Sequence, residues 1–172
     1  MSADGSLQTS AVQGEAMKEI DDAYALRKGT DGKRFARLWL EDPRVMPPSS
    51  KLLGCRPIEA DPERGFCRNA FALKREFYNP LGVLQGGFIA AMLDDTMAVG
   101  SLFKIGGGYV VPTLEMKVSY QKAISCREVF AEGWLVHAGR TVAFLEGQLF
   151  DEAGDVCARA SATALIREFR KR

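Results

Sequence analysis

Two glycines, Gly86 and Gly87, open an almost wholly apolar run, and two carboxylates, Asp94 and Asp95, lie two turns further along it. The segment before them, Asn79-Pro80-Leu81-Gly82-Val83-Leu84-Gln85, has the composition of a turn-forming loop. A glycine pair at a helix start leaves backbone N–H groups uncovered at the positive end of the macrodipole. Such groups can hold a carbonyl oxygen as it gains negative charge. A carboxylate inside an apolar helix is costly unless something satisfies or uses it. Together the four residues suggest acyl chemistry, in which one group stabilises an oxyanion and another delivers water or attacks the carbonyl itself. The plain alternative is a tight glycine entry into a buried helix.

Spacing limits how these groups can meet. Gly86 and Asp94 are eight positions apart, which is ~12 Å along a helix at ~1.5 Å per residue. Reacting groups must come within ~3 Å of a shared atom or of one bridging water. One chain cannot bring its own pair together around a single carbonyl. Two antiparallel helices across a two-fold axis can, with Gly86 of one copy facing Asp94 of the other. At ~100° per residue only one of the two aspartates points into a given cleft. Asp94 shares a face with the small residues Gly87, Ala91, Ala98 and Ser101, which would let a partner or substrate approach, and is the preferred carboxylate. Asp95 lies along Phe88, Met92 and Val99, where its ordinary role is to bond a group in the next layer.

The surrounding pattern supplies the elements that position this helix. Ser2 to Ser10 is polar and expected to be disordered, and Val12 to Lys28 has the spacing of an amphipathic helix. A second short helix covers Arg34 to Leu40 and stops before Asp42-Pro43. Pro47-Pro48-Ser49-Ser50 marks a boundary, giving an N-terminal helical extension over residues 1–50 and a main domain over 51–172. Leu52 to Ala60 and Gly65 to Phe77 are strand candidates, followed by the loop and then the helix from about Gly86 to Phe103. Four strands are predicted in meander after Gly106-Gly107-Gly108, at Val110 to Ala123, Val129 to His137, Thr141 to Phe150 and Asp155 to Ile166. A helix apolar nearly all round must be surrounded. The reading is an α+β fold, with one antiparallel sheet of about six strands curled around a long central helix. An open sheet edge and an incompletely covered helix call for a second copy.

Composition narrows the rest. The 172 residues are 47% hydrophobic and 26% charged, with a net charge of +1, which gives no electrostatic case for nucleic acid or an anionic membrane. The basic tail Arg167 to Arg172 is expected to be a solvated terminus. Residues 1–14 lack the features of a secretion signal, and charges interrupt the longest apolar run, so a cytoplasmic location is expected. Cys55, Cys67, Cys126 and Cys157 form no Cys-x-x-Cys pair, and His137 is the sole histidine. Reduced thiols and no metal site are expected.

The ordered set Asn-x-x-Gly-x-x-Gln-Gly-Gly, then Leu-x-Asp within the helix, then Gly139-Arg140 between late strands, resembles the hotdog-fold acyl-CoA thioesterases. The PaaI-like group, of phenylacetate-degradation type, is the nearest, and the resemblance covers roughly Leu52 to Ile166. It implies a hotdog fold, an acyl-CoA substrate with CoA as part of that substrate, no cofactor, and a homodimer that can pair again into a dimer of dimers. Residue by residue, Gly86 resembles the amide that polarises the thioester carbonyl, and Asp94 the nucleophile or general base. Asn79 matches a polar loop position near water or substrate, and Thr113 a hydroxyl that orients the attacking water. Gly87 and Asp95 fall beside the substrate positions, and Arg140 resembles a residue near the CoA nucleotide. Asn79 could equally be a turn residue, Thr113 an ordinary strand residue, and Arg140 simply exposed.

Gln85 departs from the family, which usually carries histidine there. An amide donates a hydrogen bond but supplies no proton near neutral pH. The departure motivates an alternative of another class, a non-catalytic acyl-CoA-binding protein with a regulatory role. A dehydratase would need a histidine–carboxylate pair, and His137, at the end of a strand, is badly placed for one.

Overall fold

The computed structural model describes residues 4–169. In order, the chain forms α1 (Asp4–Arg27), α2 (Gly32–Glu41), the short α3 (Pro48–Leu52), β1 (Cys55–Asp61), β2 (Phe66–Ala72), α4 (Gly86–Ile105), β3 (Tyr109–Val110), β4 (Thr113–Tyr120), β5 (Glu128–Ala138), β6 (Val142–Phe150), β7 (Val156–Leu165) and β8 (Arg167–Glu168). Helix α1 starts earlier than its spacing predicts and takes in residues 4–10, expected to be disordered. No proline interrupts that stretch, and once a helix exists each added residue gains a hydrogen bond. Ser2 and Ala3 lie outside the described residues.

Six strands make one antiparallel sheet in the order β1-β2-β5-β6-β7-β4. Strands β5, β6 and β7 form the expected meander, but β4 does not join it. It pairs with β7 at the far edge, Met116 opposite Ala162, while β5 pairs with β2, Asn69 opposite Ala131. Alternation tells which face a residue takes but not which strand lies alongside, so the pattern was silent on this crossover. The order puts the chain's entry into α4, after β2, and its exit, into β4, at different positions in the sheet.

The sheet covers α4 closely. Met92, Leu93, Met97 and Phe103 are fully buried. A Cβ on Gly133 would sit 2.6 Å from the Met97 backbone, and one on Gly100 would sit 2.7 Å from the Gly133 carbonyl oxygen. Helix and β5 therefore touch backbone to backbone, an approach only glycine permits.

The extension docks on this core. Asp31 caps α2, its side chain accepting from the Arg34 N–H at 2.8 Å, and Phe35 and Trp39 are buried. Phe35 meets Phe103 edge to face at 5.5 Å. The Trp39 indole donates to Asn69 Oδ1 at 3.2 Å, Asn69 Nδ2 donates to Thr96 Oγ1 at 3.2 Å, and the Thr96 hydroxyl donates to the Met92 carbonyl at 2.9 Å. This buried chain of polar contacts links α2, β2 and α4.

The start of the basic tail keeps its side chains exposed, as expected of a solvated terminus, but its backbone is held in a short strand. Arg167 and Glu168 pair with Val110 and Tyr109, and the Phe169 ring lies 3.9 Å from Tyr24. Apolar Ile166 and Phe169, set among the charges, hold it down; residues 170–172 lie outside the described residues. The four cysteines are free thiols. Burial pushes Cys55 and Cys67 well above the ordinary thiol range, which makes them poor nucleophiles.

Candidate active site

The loop before α4 is fastened at both ends. Gln85 N–H donates to the Phe77 carbonyl at 2.9 Å, and Leu84 N–H donates to the Ile124 carbonyl at 2.8 Å. Within it Asn79 folds back on its own turn, Oδ1 accepting from the N–H groups of Leu81 at 2.9 Å and Val83 at 3.3 Å. Gly82 makes that turn possible with a φ of 73°. Asn79 thus shapes the loop, with its acceptor oxygen already engaged.

Gln85 is the N-cap of α4. Its side-chain oxygen accepts from Gly87 N–H at 2.6 Å and from Phe88 N–H at 3.3 Å. A Cβ on Gly87 would lie 2.8 Å from that oxygen, so the second glycine is what lets the cap bend over. The Gly86 N–H has no partner among the described residues. The uncovered donor at the positive helix end is therefore Gly86, and Gly87 is already capped.

Tyr120, on β4, was not marked by the sequence. Its hydroxyl donates to the Gly86 carbonyl at 3.0 Å, and its ring would lie 3.2 Å from a Cβ there. Nothing local could have found it, because Tyr120 is one alternating residue of a strand that comes 34 positions later.

Two turns along α4, Asp94 is half-buried and its Oδ1 accepts from the Thr113 hydroxyl at 2.6 Å. The first residue of β4 thus fixes the orientation of the carboxylate. Asp95 turns the other way. Its Oδ1 accepts from the Ser50 hydroxyl at 2.5 Å, while Oδ2 is buried without a partner among the described residues. Desolvation, with a smaller push from neighbouring Asp94, raises Asp95 to about 6 against the lowering effect of the Ser50 bond. Ser50, read as part of a boundary, is fully buried.

The structure therefore gathers Gln85, Gly86 and Gly87 at one end of α4, and Asp94 and Thr113 near its middle. Arg140 stays apart, exposed in the β5–β6 hairpin. His137 is exposed on β5, its ring 6.5 Å from Phe144. Among the described residues no group of three or more His, Cys, Asp or Glu side chains is gathered as for a metal ion. No helix among them is long and apolar enough to cross a membrane.

Residues 81–158, which hold Gln85 to Thr113 and Arg140 but not Asn79, match the model of the Thioesterase superfamily. No curated protein matches the chain. Among solved structures, a phenylacetic acid degradation-related protein from Ralstonia eutropha JMP134 is 27% identical, with a TM-score of 0.68 over 76% of this chain and 98% of that one. The phenylacetic acid degradation protein PaaI of Thermus thermophilus is 20% identical, with a TM-score of 0.61 over 69% and 97%. A Streptococcus mutans UA159 protein bound to acetyl CoA is 20% identical, with a TM-score of 0.59 over 68% and 91%. The resemblance to PaaI-like hotdog thioesterases holds, and the fold is the hotdog.

Proposed function

We propose that the chain hydrolyses acyl-CoA thioesters as a homodimer. The observation that carries this reading is the Thr113–Asp94 hydrogen bond of 2.6 Å, on a helix whose N-terminus keeps the Gly86 N–H uncovered. An oriented carboxylate and an oxyanion donor are the two parts that acyl transfer to water requires. The superfamily match supports thioester chemistry, and the acetyl CoA bound by the Streptococcus mutans relative supports CoA as the thiol.

In this reading Asp94 takes a proton from water as the water oxygen attacks the carbonyl carbon. The Gly86 amide of the other subunit receives the oxyanion, aided by the helix dipole. The tetrahedral intermediate then collapses, the C–S bond breaks, and CoA leaves as a thiolate that regains a proton. Thr113 positions Asp94, and Gln85 holds the helix entry with its oxygen and presents its amide N–H groups toward the thioester. Two features support pairing: the ~12 Å between Gly86 and Asp94 along one helix, and the free edge of β4, where Leu114 is exposed.

A second reading draws on one observation. The Gln85 oxygen already sits on the α4 N-terminus, which suits a protein that binds acyl-CoA without turning it over. Release of free thiol, followed with a chromogenic reagent over short, medium, long and aryl acyl-CoAs, separates the two. Turnover lost in Asp94→Asn supports hydrolysis; saturable binding with no thiol release across the panel overturns it.

A further inference from the structure

Glycine has the widest backbone freedom of any residue, yet a donor that receives developing charge must be held within about 0.5 Å of its working position. With Gly86 and Gly87 adjacent at the helix entry, other groups have to supply that hold. Gln85 supplies part of it. Its N–H is tied to the Phe77 carbonyl at 2.9 Å, and its side chain takes the N–H groups of Gly87 and Phe88. Neither contact is made by Gly86 itself.

The contact that is made by Gly86 comes from Tyr120, whose hydroxyl donates to the Gly86 carbonyl at 3.0 Å. A carbonyl oxygen has two lone pairs, so the helix ladder leaves one for a side chain. A Cβ at position 86 would lie 3.2 Å from Cζ of that ring and 3.3 Å from its Cε1 and its hydroxyl oxygen. The ring therefore lies against one side of the Gly86 Cα. Tyr120 is 55% exposed, so its ring adds little to the core. With Gly86, Leu84, Ile89 and Ile124 it lines an open groove of about 320 Å³. Strand β4 begins at Thr113, which holds Asp94, and ends at Tyr120. It is fixed by β7 at both ends, Thr113 opposite Ala164 and Tyr120 opposite Ala158.

We propose that Tyr120 is a positioning residue for acyl transfer, its hydroxyl fixing the Gly86 peptide so that the amide N–H meets the acyl oxygen. One strand then steadies both halves of the site, Thr113 through the carboxylate and Tyr120 through the oxyanion donor. The proposal rests on the reading of Gly86 as that donor. Tyr120 acts through Gly86 and not on the reacting atoms.

Tyr120→Phe keeps the ring and removes the hydroxyl. In this variant kcat on a good acyl-CoA should fall about tenfold with KM within about twofold, as for a contact that counts in the transition state. The thermal midpoint should move little. The ¹⁵N order parameter of the Gly86 amide, measured without substrate, should drop from the rigid range of about 0.85. Asp94→Asn should lose turnover and keep the Gly86 order parameter of the unmodified protein. A kcat equal to that of the unmodified protein in Tyr120→Phe, a loss confined to KM, or an unchanged Gly86 order parameter would each overturn the proposal. If the unmodified protein releases no thiol, the hydrolysis reading fails instead, and the order parameter alone decides whether Tyr120 holds Gly86.

Discussion

The Ser50 hydroxyl donates to Asp95 Oδ1 at 2.5 Å, joining the segment between the extension and the sheet to the central helix. That single bond does not offset the desolvation of the carboxylate, which sits at about 6 against an ordinary value of 3.8. A folded-state pKa above the unfolded one means that the native protein holds its proton more tightly, so stability falls as pH rises from about 4 to about 6 and is level beyond. Asp94, Cys55 and Cys67 are the titratable neighbours that act on it or are acted on by it, and the two thiols stay neutral throughout. Asp95→Asn should flatten this window and raise stability at pH 8 by an amount on the order of 3 kcal/mol. Urea melts at pH 4, 5, 6 and 8 measure it; a variant with the same pH slope as the parent would refute the assignment.

Thr113 acts on the proposed reaction only through Asp94. Thr113→Val keeps the shape and removes the hydroxyl, and should lower kcat about tenfold with KM little changed. Asp94→Asn should cost about 10²-fold or more in kcat, the range of a lost general base. Steady-state kinetics on a good acyl-CoA check both. A single turnover in ¹⁸O-labelled water adds one further test: label in the protein shows a mixed anhydride with Asp94 opened by water at the Asp94 carboxyl carbon, whereas direct water attack on the thioester puts label only in the product acid.

Gln85→Ala removes the acceptor for Gly87 and Phe88 N–H. Loss of an N-cap costs about 0.5–2 kcal/mol, and the midpoint of chemical denaturation should fall accordingly. Gln85→Glu keeps an acceptor at the cap but brings negative charge beside Gly86. Thermal stability near that of the parent, with kcat reduced, is the expected split, and an unchanged kcat would argue that Gly86 receives no oxyanion.

A Cβ on Gly32 would fall 1.6 Å from the Phe103 carbonyl oxygen, closer than any local adjustment can absorb. Gly32→Ala should lift the start of α2 from the end of α4. Limited proteolysis should then cut near Thr30, and hydrogen exchange should speed up at Trp39. Equal protection in the variant would show that the approach is softer than its geometry.

Much of this architecture was legible because burial leaves a local imprint. The all-apolar run Gly86 to Phe103 forces an enclosed helix, and the alternation in β5 to β7 gives strands with one inward face. The Asp94 preference rested on the small residues sharing its face, and the Thr113 bond orients that carboxylate rather than its neighbour. What stayed hidden depends on contacts between distant segments. The crossing of β4 to the edge beside β7, the Tyr120 hydroxyl on Gly86, and the Ser50 contact each join residues that carry no mark of one another. Asn79 illustrates a different limit, since an asparagine that closes its own turn and one that serves a ligand look the same in one dimension.

The run of contacts from Trp39 through Asn69 and Thr96 to Met92 bears on how the protein can be engineered. A version trimmed to start after residue 50 would lose the indole that meets Asn69, the ring that covers Phe103, and the hydroxyl that steadies Asp95. It should therefore be recovered as insoluble material rather than as a smaller working enzyme, so any shortening from this end has to stop ahead of Thr30.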